Sequence, residues 1–165
     1  MKTLFIGGIK SGKSRLAEAY ILEQATPNKP YYLATTEFFD QEMQARILIH
    51  QRRRQDLFIT VEEPVKLFDT VKQCQGPVLI ECVSMWLNNQ LYHQIPEAGI
   101  LQELEALLQL SCDLVLVHNE VGLIVVSDNR LARQFVDLSG KAAQLMAQYC
   151  DQVFFCSAGL KISMK

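Results

Sequence analysis

The feature that most constrains the fold is a glycine-rich loop between a short apolar run, Thr3–Ile6, and a segment of helical period, Lys13–Gln24. The loop and the helix start spell Gly7-Gly8-Ile9-Lys10-Ser11-Gly12-Lys13-Ser14, which fits the pattern G-x-x-x-x-G-K-[ST]. Glycines at these positions let successive backbone N–H groups point at phosphate oxygens, and the helix N-terminus adds partial positive charge. The alternative is a glycine-rich turn that binds no nucleotide. A strand before the loop and a helix after it favour a P-loop that binds a nucleoside triphosphate.

Three side chains are the candidates for binding phosphate and metal. We expect Lys13 to reach the β- and γ-phosphates and the hydroxyl of Ser14 to ligate Mg²⁺. Mg²⁺ in such sites is also held by a carboxylate, which is expected at the end of another buried strand. Glu81 closes the apolar run Pro77–Glu81 and is the predicted second ligand. The alternative is that Glu81 caps the helix that follows.

The whole chain alternates short apolar runs with segments of helical period, which is typical of a parallel sheet with helices on both faces. Runs such as 78–80 and 114–117 show no polar alternation, as expected of strands that are covered on both faces. Further strands are predicted at Tyr31–Ala34, Phe58–Glu62, Pro77–Glu81, Leu114–His118 and Gln152–Cys156. Further helices are predicted at Asp40–Arg54, Pro64–Gln73, Ser84–Tyr92, Leu101–Leu110 and Asn129–Tyr149. With 165 residues and no long linker, we expect one domain, residues 1–165.

Composition excludes several classes of protein. The balance of 16 basic against 18 acidic side chains argues against a broad nucleic-acid binder, which is usually strongly basic. Five cysteines, none at C-x-x-C spacing, indicate neither a disulfide framework nor a zinc cluster. No apolar run is long enough to span a membrane. We therefore expect a soluble, cytoplasmic protein whose phosphate chemistry is local.

The predicted helix Asp40–Arg54 is unusually basic and carries one histidine, His50. On a helix, Arg46, His50 and Arg53 or Arg54 share one face, so guanidinium groups would flank the imidazole. Planar guanidinium groups suit phosphate oxygens, and like charge would disfavour the protonated imidazole, leaving a neutral nitrogen nucleophile. The alternative is a solvated cationic face near a helix C-terminus.

Two hydroxyl residues follow the second predicted strand. Thr35 and Thr36 lie at the carboxyl edge of the expected sheet, where ligands bind in open α/β folds. They contact a ligand there or, alternatively, form a helix cap or turn.

A series of short motifs runs along nearly the whole chain. The first half contains G-G-x-x-S-G-K-S-R at 7–15, Y-L-A-T at 32–35, E-M-x-x-R-I-x-x-H at 42–50 and T-V-E-E-P at 60–64. The second half contains L-I-E-C-x-x-x-W-L-x-N at 79–89, N-E-V-G at 119–122, N-x-L-A-R-x-F-x-D-x-x-G at 129–140 and A-G-L at 158–160. In order and spacing these motifs resemble those of the bifunctional adenosylcobinamide kinase/adenosylcobinamide-phosphate guanylyltransferase family.

The resemblance implies a RecA-like P-loop NTPase fold, a homotrimer and two reactions late in cobalamin synthesis. In the first reaction, ATP or GTP phosphorylates adenosylcobinamide. In the second, a histidine attacks the α-phosphate of GTP, displaces pyrophosphate and passes GMP to adenosylcobinamide phosphate. His50 is the matching residue. By the same resemblance, the residues that contact GTP or its Mg²⁺, besides the P-loop, are Ala34, Thr35, Thr36, Gln51, Arg52, Arg53, Arg54, Glu62 and Glu81.

The sequence departs from the family pattern at three places, one of which is Ala142-Ala143-Gln144, where the family frequently has L-N-Q. The P-loop has Ile9 and Lys10 where the family commonly has Ala-Arg. After N-E-V-G, Ile124 and Ser127 replace a usual glycine and proline. A β-branched isoleucine does not readily adopt a glycine-only conformation, so we expect this acceptor-side loop to alter the substrate range and leave the triphosphate site intact.

Two alternative functions are compatible with the P-loop. The first is another small-molecule kinase or RecA-like NTPase, in which the basic helix is a lid and His50 is incidental. The second is a non-catalytic nucleotide-binding regulator, which the altered segment after Gly122 would accommodate.

Overall fold

A seven-stranded sheet with helices on both faces forms the centre of the molecule. The computed structural model describes residues 1–25, 28–37, 56–123 and 125–165. The strands are β1 (Lys2–Gly7), β2 (Tyr31–Ala34), β3 (Ile59–Glu62), β4 (Val78–Glu81), β5 (Leu114–Asn119), β6 (Gln152–Ser157) and β7 (Leu160–Ser163). The helices among these residues are α1 (Lys13–Gln24), α2 (Leu67–Val71), α3 (Val83–Tyr92), α4 (Glu97–Gln109) and α5 (Arg130–Tyr149).

The strand order is β3-β2-β4-β5-β1-β6-β7, and the first six strands are parallel to their neighbours. Only β7 of these strands pairs antiparallel, with β6. The carboxyl ends of the parallel strands therefore lie at one edge of the sheet. Side chains that directly follow β1, β2, β3, β4 and β5 are gathered there although they are far apart in sequence.

Alternation along the central strands separates two hydrophobic cores. In β1, Leu4 and Ile6 belong to the core that packs beneath α2, α3, α4 and α5, whereas Phe5 belongs to the core that packs beneath α1. The same division separates Ile80 from Leu79 in β4. Both faces of the central strands are apolar because both are covered, which is why their sequence shows no polar alternation.

The six predicted strands are confirmed, with ends that shift by no more than one residue. The helix Lys13–Gln24 has the predicted ends. Helix α4 begins at Glu97, four residues before the predicted start, with Pro96 at the N-cap position. Helix α2 is shorter than predicted, since the carboxylate of Glu63 accepts the N–H groups of Val65 and Lys66 in a turn ahead of it.

One strand was not predicted. Strand β7 follows a two-residue turn, Ala158 and Gly159, whose φ angles are 52° and 79°. Positive φ at both central residues is the geometry of a tight hairpin turn, and its twist matches that of the flanking strands. All four residues of β7 are exposed, and the strand is only four residues long.

None of the described helices has both the length and the apolar character that a membrane span requires.

Candidate functional site

The P-loop, residues 7–14, bends sharply between β1 and α1. Lys10 and Gly12 both have positive φ, 57° and 92°. The N–H of Ser11 donates to Gly8 O at 3.2 Å, and the N–H of Leu16 donates to Gly12 O at 3.0 Å to start the helix. Left-handed residues within a turn direct successive N–H groups to one side, which makes an anion-binding concavity.

Lys13 bends back over this loop. Its Nζ donates to Gly8 O at 3.2 Å, and the residue is only 8% exposed. Next to it, Ser11 is buried and its Oγ has no hydrogen-bond partner among the described protein atoms. A buried ammonium group and a buried unpaired hydroxyl are costly unless they are matched by an anion. Both groups therefore fit a bound phosphate chain.

The hydroxyl of Ser14 meets the carboxylate of Glu81. Ser14 Oγ donates to Glu81 Oε1 at 2.6 Å, which joins the first turn of α1 to the end of β4 across 67 residues of sequence. These are two hard oxygen donors beside the expected phosphate position, and Mg²⁺ prefers such oxygen ligands. The donor set thus fits the metal that the sequence predicted.

Ala34 lies between two acidic residues at the same edge. Strand register places it opposite Glu62 of β3 on one side and opposite Glu81 of β4 on the other. These three residues, predicted as nucleotide contacts from separate motifs, are therefore neighbours in the sheet. Their roles in binding remain predictions.

Thr35 is buried, and its hydroxyl is engaged with the backbone. Oγ1 lies 3.0 Å from Glu81 O and 2.9 Å from Cys82 O, which share its single hydrogen, and the residue's N–H donates to Glu81 O at 3.2 Å. These bonds tie the loop after β2 to the end of β4. Thr36, one residue further, is half-buried.

The predicted basic helix lies outside the described residues. This applies to Arg46, to His50 and to Gln51, Arg52, Arg53 and Arg54, so their predicted roles stay predictions. Glu37, the residue just before that segment, accepts a hydrogen bond from His93 Nε2 at 2.8 Å at the end of α3. Ile124 also lies outside the described residues, and its neighbours Leu123 and Val125 are highly exposed.

The turn of the β6–β7 hairpin packs against the backbone of the P-loop. The N–H of Gly159 donates to Ser11 O at 2.9 Å. A Cβ on Gly12 would lie 2.9 Å from the Cα of Gly159. The two backbones are therefore in close contact, and glycine is needed at Gly12 both for this approach and for its positive φ. The A-G dipeptide at 158–159 was the sequence signal for this contact.

A buried polar network connects the centre of the sheet to α3 and α5. His118 Nδ1 lies 3.1 Å from Ser84 Oγ, and its Nε2 lies 2.9 Å from Ser139 Oγ. Ser84 Oγ also accepts the N–H of Asn119 at 2.7 Å. Burial is the main reason that the pKa of His118 falls to about 4, and Lys13 lowers it further. His118 is thus a neutral structural residue, and the sequence did not reveal this role.

Helix α3 contributes polar contacts that sequence analysis also missed. Trp86, Asn89 and Gln90 all donate to backbone carbonyls of neighbouring loops. Two of these three residues lie in the motif L-I-E-C-x-x-x-W-L-x-N, which was the available signal. A motif alone does not say which carbonyls a buried amide will meet.

Comparison with known proteins identifies a family match over nearly the whole chain. The family model described as "Cobinamide kinase / cobinamide phosphate guanyltransferase" matches residues 3–164. The chain is 38% identical over 172 residues to the bifunctional adenosylcobalamin biosynthesis protein CobP of Pseudomonas aeruginosa, covering 100% of this chain and 98% of that protein. It is 33% identical over 184 residues to the bifunctional adenosylcobalamin biosynthesis protein CobU of Escherichia coli, covering 100% of both.

Solved structures with little sequence similarity share the fold. A KaiC-like protein from Pyrococcus horikoshii has a TM-score of 0.53 at 12% identity, covering 93% of this chain and 69% of that one. An ATPase of the type III secretion system of pathogenic bacteria has a TM-score of 0.53 at 12% identity, covering 98% and 56%. These likenesses confirm the predicted RecA-like P-loop fold.

Proposed function

This chain belongs to the cobinamide kinase / cobinamide phosphate guanyltransferase family, a family of transferases that act in cobalamin biosynthesis, and we propose that it performs both reactions at the nucleotide site built around the P-loop. The proposed substrates are GTP, ATP, adenosylcobinamide and adenosylcobinamide phosphate. The observation that carries the proposal is the 2.6 Å contact between Ser14 Oγ and Glu81 Oε1 beside the buried ammonium of Lys13.

The P-loop would hold the triphosphate in both reactions. Its backbone N–H groups and the N-terminus of α1 face the phosphate chain, and Lys13 places a positive charge at the β- and γ-phosphates. Ser14 and Glu81 would hold Mg²⁺, which when bound offsets negative charge on the phosphates. In phosphoryl and nucleotidyl transfer such positioning and charge stabilisation supply most of the rate enhancement.

In the kinase reaction, the hydroxyl of adenosylcobinamide attacks the γ-phosphorus. The bond from that phosphorus to the β–γ bridging oxygen breaks, and the nucleoside diphosphate leaves with the electron pair while the hydroxyl proton is released. Lys13 would stabilise the charge that develops on the leaving diphosphate.

In the guanylyltransferase reaction, we assign the nucleophile to His50. Its neutral ring nitrogen attacks the α-phosphorus of GTP, a P–N bond forms, and pyrophosphate leaves with the electrons of the broken P–O bond. A phosphate oxygen of adenosylcobinamide phosphate then attacks the same phosphorus and displaces the imidazole, giving adenosylcobinamide-GDP. The arginines Arg46, Arg52, Arg53 and Arg54 are proposed to stabilise the charge of pyrophosphate.

A covalent label tests the assignment of His50. Incubation with α-labelled GTP and Mg²⁺ should leave one GMP on the protein, in an acid-labile and alkali-stable bond, visible as a GMP adduct in the intact mass. His50→Ala should abolish the adduct and retain GTP binding, because the P-loop is unchanged. His93→Ala is the matched control and should keep the adduct. A wild-type protein that binds GTP without forming an adduct would instead support a different P-loop kinase.

We further propose that the protein is a homotrimer. Alternate residues of β7 and the end of the chain, Leu160, Ile162 and Met164, are all more than 60% exposed on an edge strand. Natural proteins seldom leave apolar side chains on a free edge, so this row fits a surface that is covered in an assembly. Light scattering after size-exclusion chromatography should give three times the mass of one chain, and a monomer mass would refute the trimer.

A further inference from the structure

Helix α3 lies against two loops of the nucleotide edge. The β2 loop, residues 35–37, follows β2, and the β3 loop, residues 63–66, follows β3. Trp86 Nε1 and Gln90 Nε2 donate to Val65 O in the β3 loop at 2.8 and 2.7 Å. Asn89 Nδ2 donates to Pro64 O in the β3 loop at 2.9 Å and to Thr35 O in the β2 loop at 2.7 Å. Of these three side chains, Asn89 is the one that joins both loops.

Asn89 is fully buried, at 0% exposure. Burying an amide is unfavourable unless its polar atoms are hydrogen-bonded. Both hydrogens of the amide are used, one toward each loop, whereas its Oδ1 has no partner among the described residues. The hydrogen bonds of this buried side chain are thus the two that join the loops.

The two loops adjoin the residues that are proposed to contact the nucleotide. The β2 loop begins with Thr35, whose hydroxyl donates to the carbonyls of Glu81 and Cys82. The β3 loop follows Glu62 directly. Asn89 therefore connects the strand end that bears Glu62 with the strand end that bears Glu81, through Pro64 on one side and Thr35 on the other.

We propose that Asn89 is a positioning residue for the nucleoside triphosphate, which holds the β2 and β3 loops at the separation that the bound nucleotide requires. The proposal rests on the proposed function in one respect, namely that these loops contact the nucleotide. Asn89 itself is buried and acts through the two carbonyls. Its loss should weaken ground-state binding of the nucleotide and leave the reacting groups of the P-loop in place.

Nucleotide affinity in Asn89 and Gln90 variants provides the test. Asn89→Leu and Asn89→Ser remove the bridge, whereas Gln90→Leu removes an equally buried amide that reaches only the β3 loop. Binding of GTP with Mg²⁺ is measured by titration calorimetry, and thermal unfolding is measured without nucleotide. We expect Kd to rise about tenfold or more in the Asn89 variants, as for a lost pair of buried hydrogen bonds, and to change less than about threefold in Gln90→Leu.

Kinetics separates positioning from general destabilisation. In the guanylylation assay, the Asn89 variants should raise KM for GTP with kcat near the wild-type value, because the lost binding is shared equally by the ground state and the transition state. Equal Kd in wild type and Asn89→Leu, or an equal loss of affinity in Gln90→Leu, would overturn the proposal. If the wild type forms no GMP adduct, the proposed function fails, but the Kd comparison still decides the role of Asn89.

A measurement on the unmodified protein covers the case in which neither Asn89 variant folds. Hydrogen exchange of the wild type, with and without GTP, should show the amides of residues 35–37 and of residues 63, 65 and 66 gaining protection together at the same nucleotide concentration, because one side chain couples the two loops. Protection of one loop without the other would overturn the proposal.

Discussion

At the scale of single residues, His118 shows how burial fixes the state of a titratable group. The imidazole lies between Ser84 and Ser139 in the core, with 1% of its surface exposed. Burial disfavours the charged form and brings its pKa to about 4. A neutral ring has one donor and one acceptor nitrogen, which matches a chain in which one serine donates to the ring and the other accepts from it.

This network predicts a loss of stability in acid. The folded protein protonates His118 only near pH 4, whereas the unfolded chain protonates it near pH 6.5. The contribution of His118 to the free energy of unfolding is therefore complete above pH 6.5 and declines as the pH falls from 6.5 toward 4. At pH 5 the free energy of unfolding should be lower by about 2 kcal/mol, since each unit of pKa shift corresponds to about 1.36 kcal/mol. Urea denaturation at pH 7 and pH 5 measures it.

His118→Gln removes the titrating group and should reduce the difference between the two pH values by that amount. His93→Gln is the matched control, since His93 is exposed and its pair with Glu37 contributes little to stability. A pH difference that is the same in His118→Gln and in the wild type would contradict the assignment.

The positions of candidate site residues were predictable where a local pattern fixes them. Lys13 and Ser14 follow from spacing within eight residues, and the position of Glu81 follows from the end of a buried strand. Asn89 and His118 could not be assigned from sequence, because an isolated buried amide or imidazole acquires its role from partners that only the tertiary packing supplies. Thr35 falls between these cases, since its position at the sheet edge was predicted but the partners of its hydroxyl were not.

At the scale of elements, the hairpin of β6 and β7 supports the P-loop. Its turn residue Gly159 contacts Gly12 closely and donates to Ser11 O at 2.9 Å. The conformation of the loop is therefore set from two sides, by the strand and helix that it joins and by a turn near the end of the sequence. A loop held in this way is organised before the nucleotide binds, which reduces the entropic cost of binding.

Substitution of loop glycines tests this support. Gly12→Ala places a Cβ at positive φ and 2.9 Å from the Cα of Gly159, so the turn must move. The positive φ alone costs about 1–2 kcal/mol. We expect a lower thermal unfolding temperature without nucleotide, and weaker GTP binding. Gly8→Ala is the matched control, since a Cβ there meets nothing within 4 Å. Equal unfolding temperatures in both variants would contradict the support from the hairpin.

Most elements were predictable because their buried faces require apolar residues at regular positions in the sequence. Strands β4 and β5 are continuous apolar runs because both of their faces are covered. Strand β7 was missed because all its residues are exposed and its pairing depends on β6. The first turn of α4 was missed although Pro96 before it is a helix-start signal and Ile100 is in period with the buried Leu104.

At the scale of the whole molecule, the parallel sheet explains how distant motifs form one site. Six parallel strands bring the ends of β1, β2, β3 and β4 to one edge, and the P-loop, Thr35, Glu62 and Glu81 follow from four separate segments. The formal net charge of -2 does not reveal that these residues are clustered. The strand order therefore brings the candidate site together. Because four segments meet there, nucleotide binding should stabilise the whole fold.

GTP with Mg²⁺ should raise the thermal unfolding temperature of the whole chain. At a concentration of about 100 times Kd, binding adds about 2.7 kcal/mol, which corresponds to a rise of roughly 5–11 °C for a protein of this size. Lys13→Ala should abolish most of the rise, because the phosphate chain loses its buried cation. Glu81→Gln should retain the rise without Mg²⁺ and lose the increment that Mg²⁺ adds in the wild type, since a neutral amide is a poorer ligand for this cation. Differential scanning calorimetry of the three proteins, each with and without Mg²⁺, measures both effects. An undiminished Mg²⁺ increment in Glu81→Gln would exclude Glu81 from the metal site.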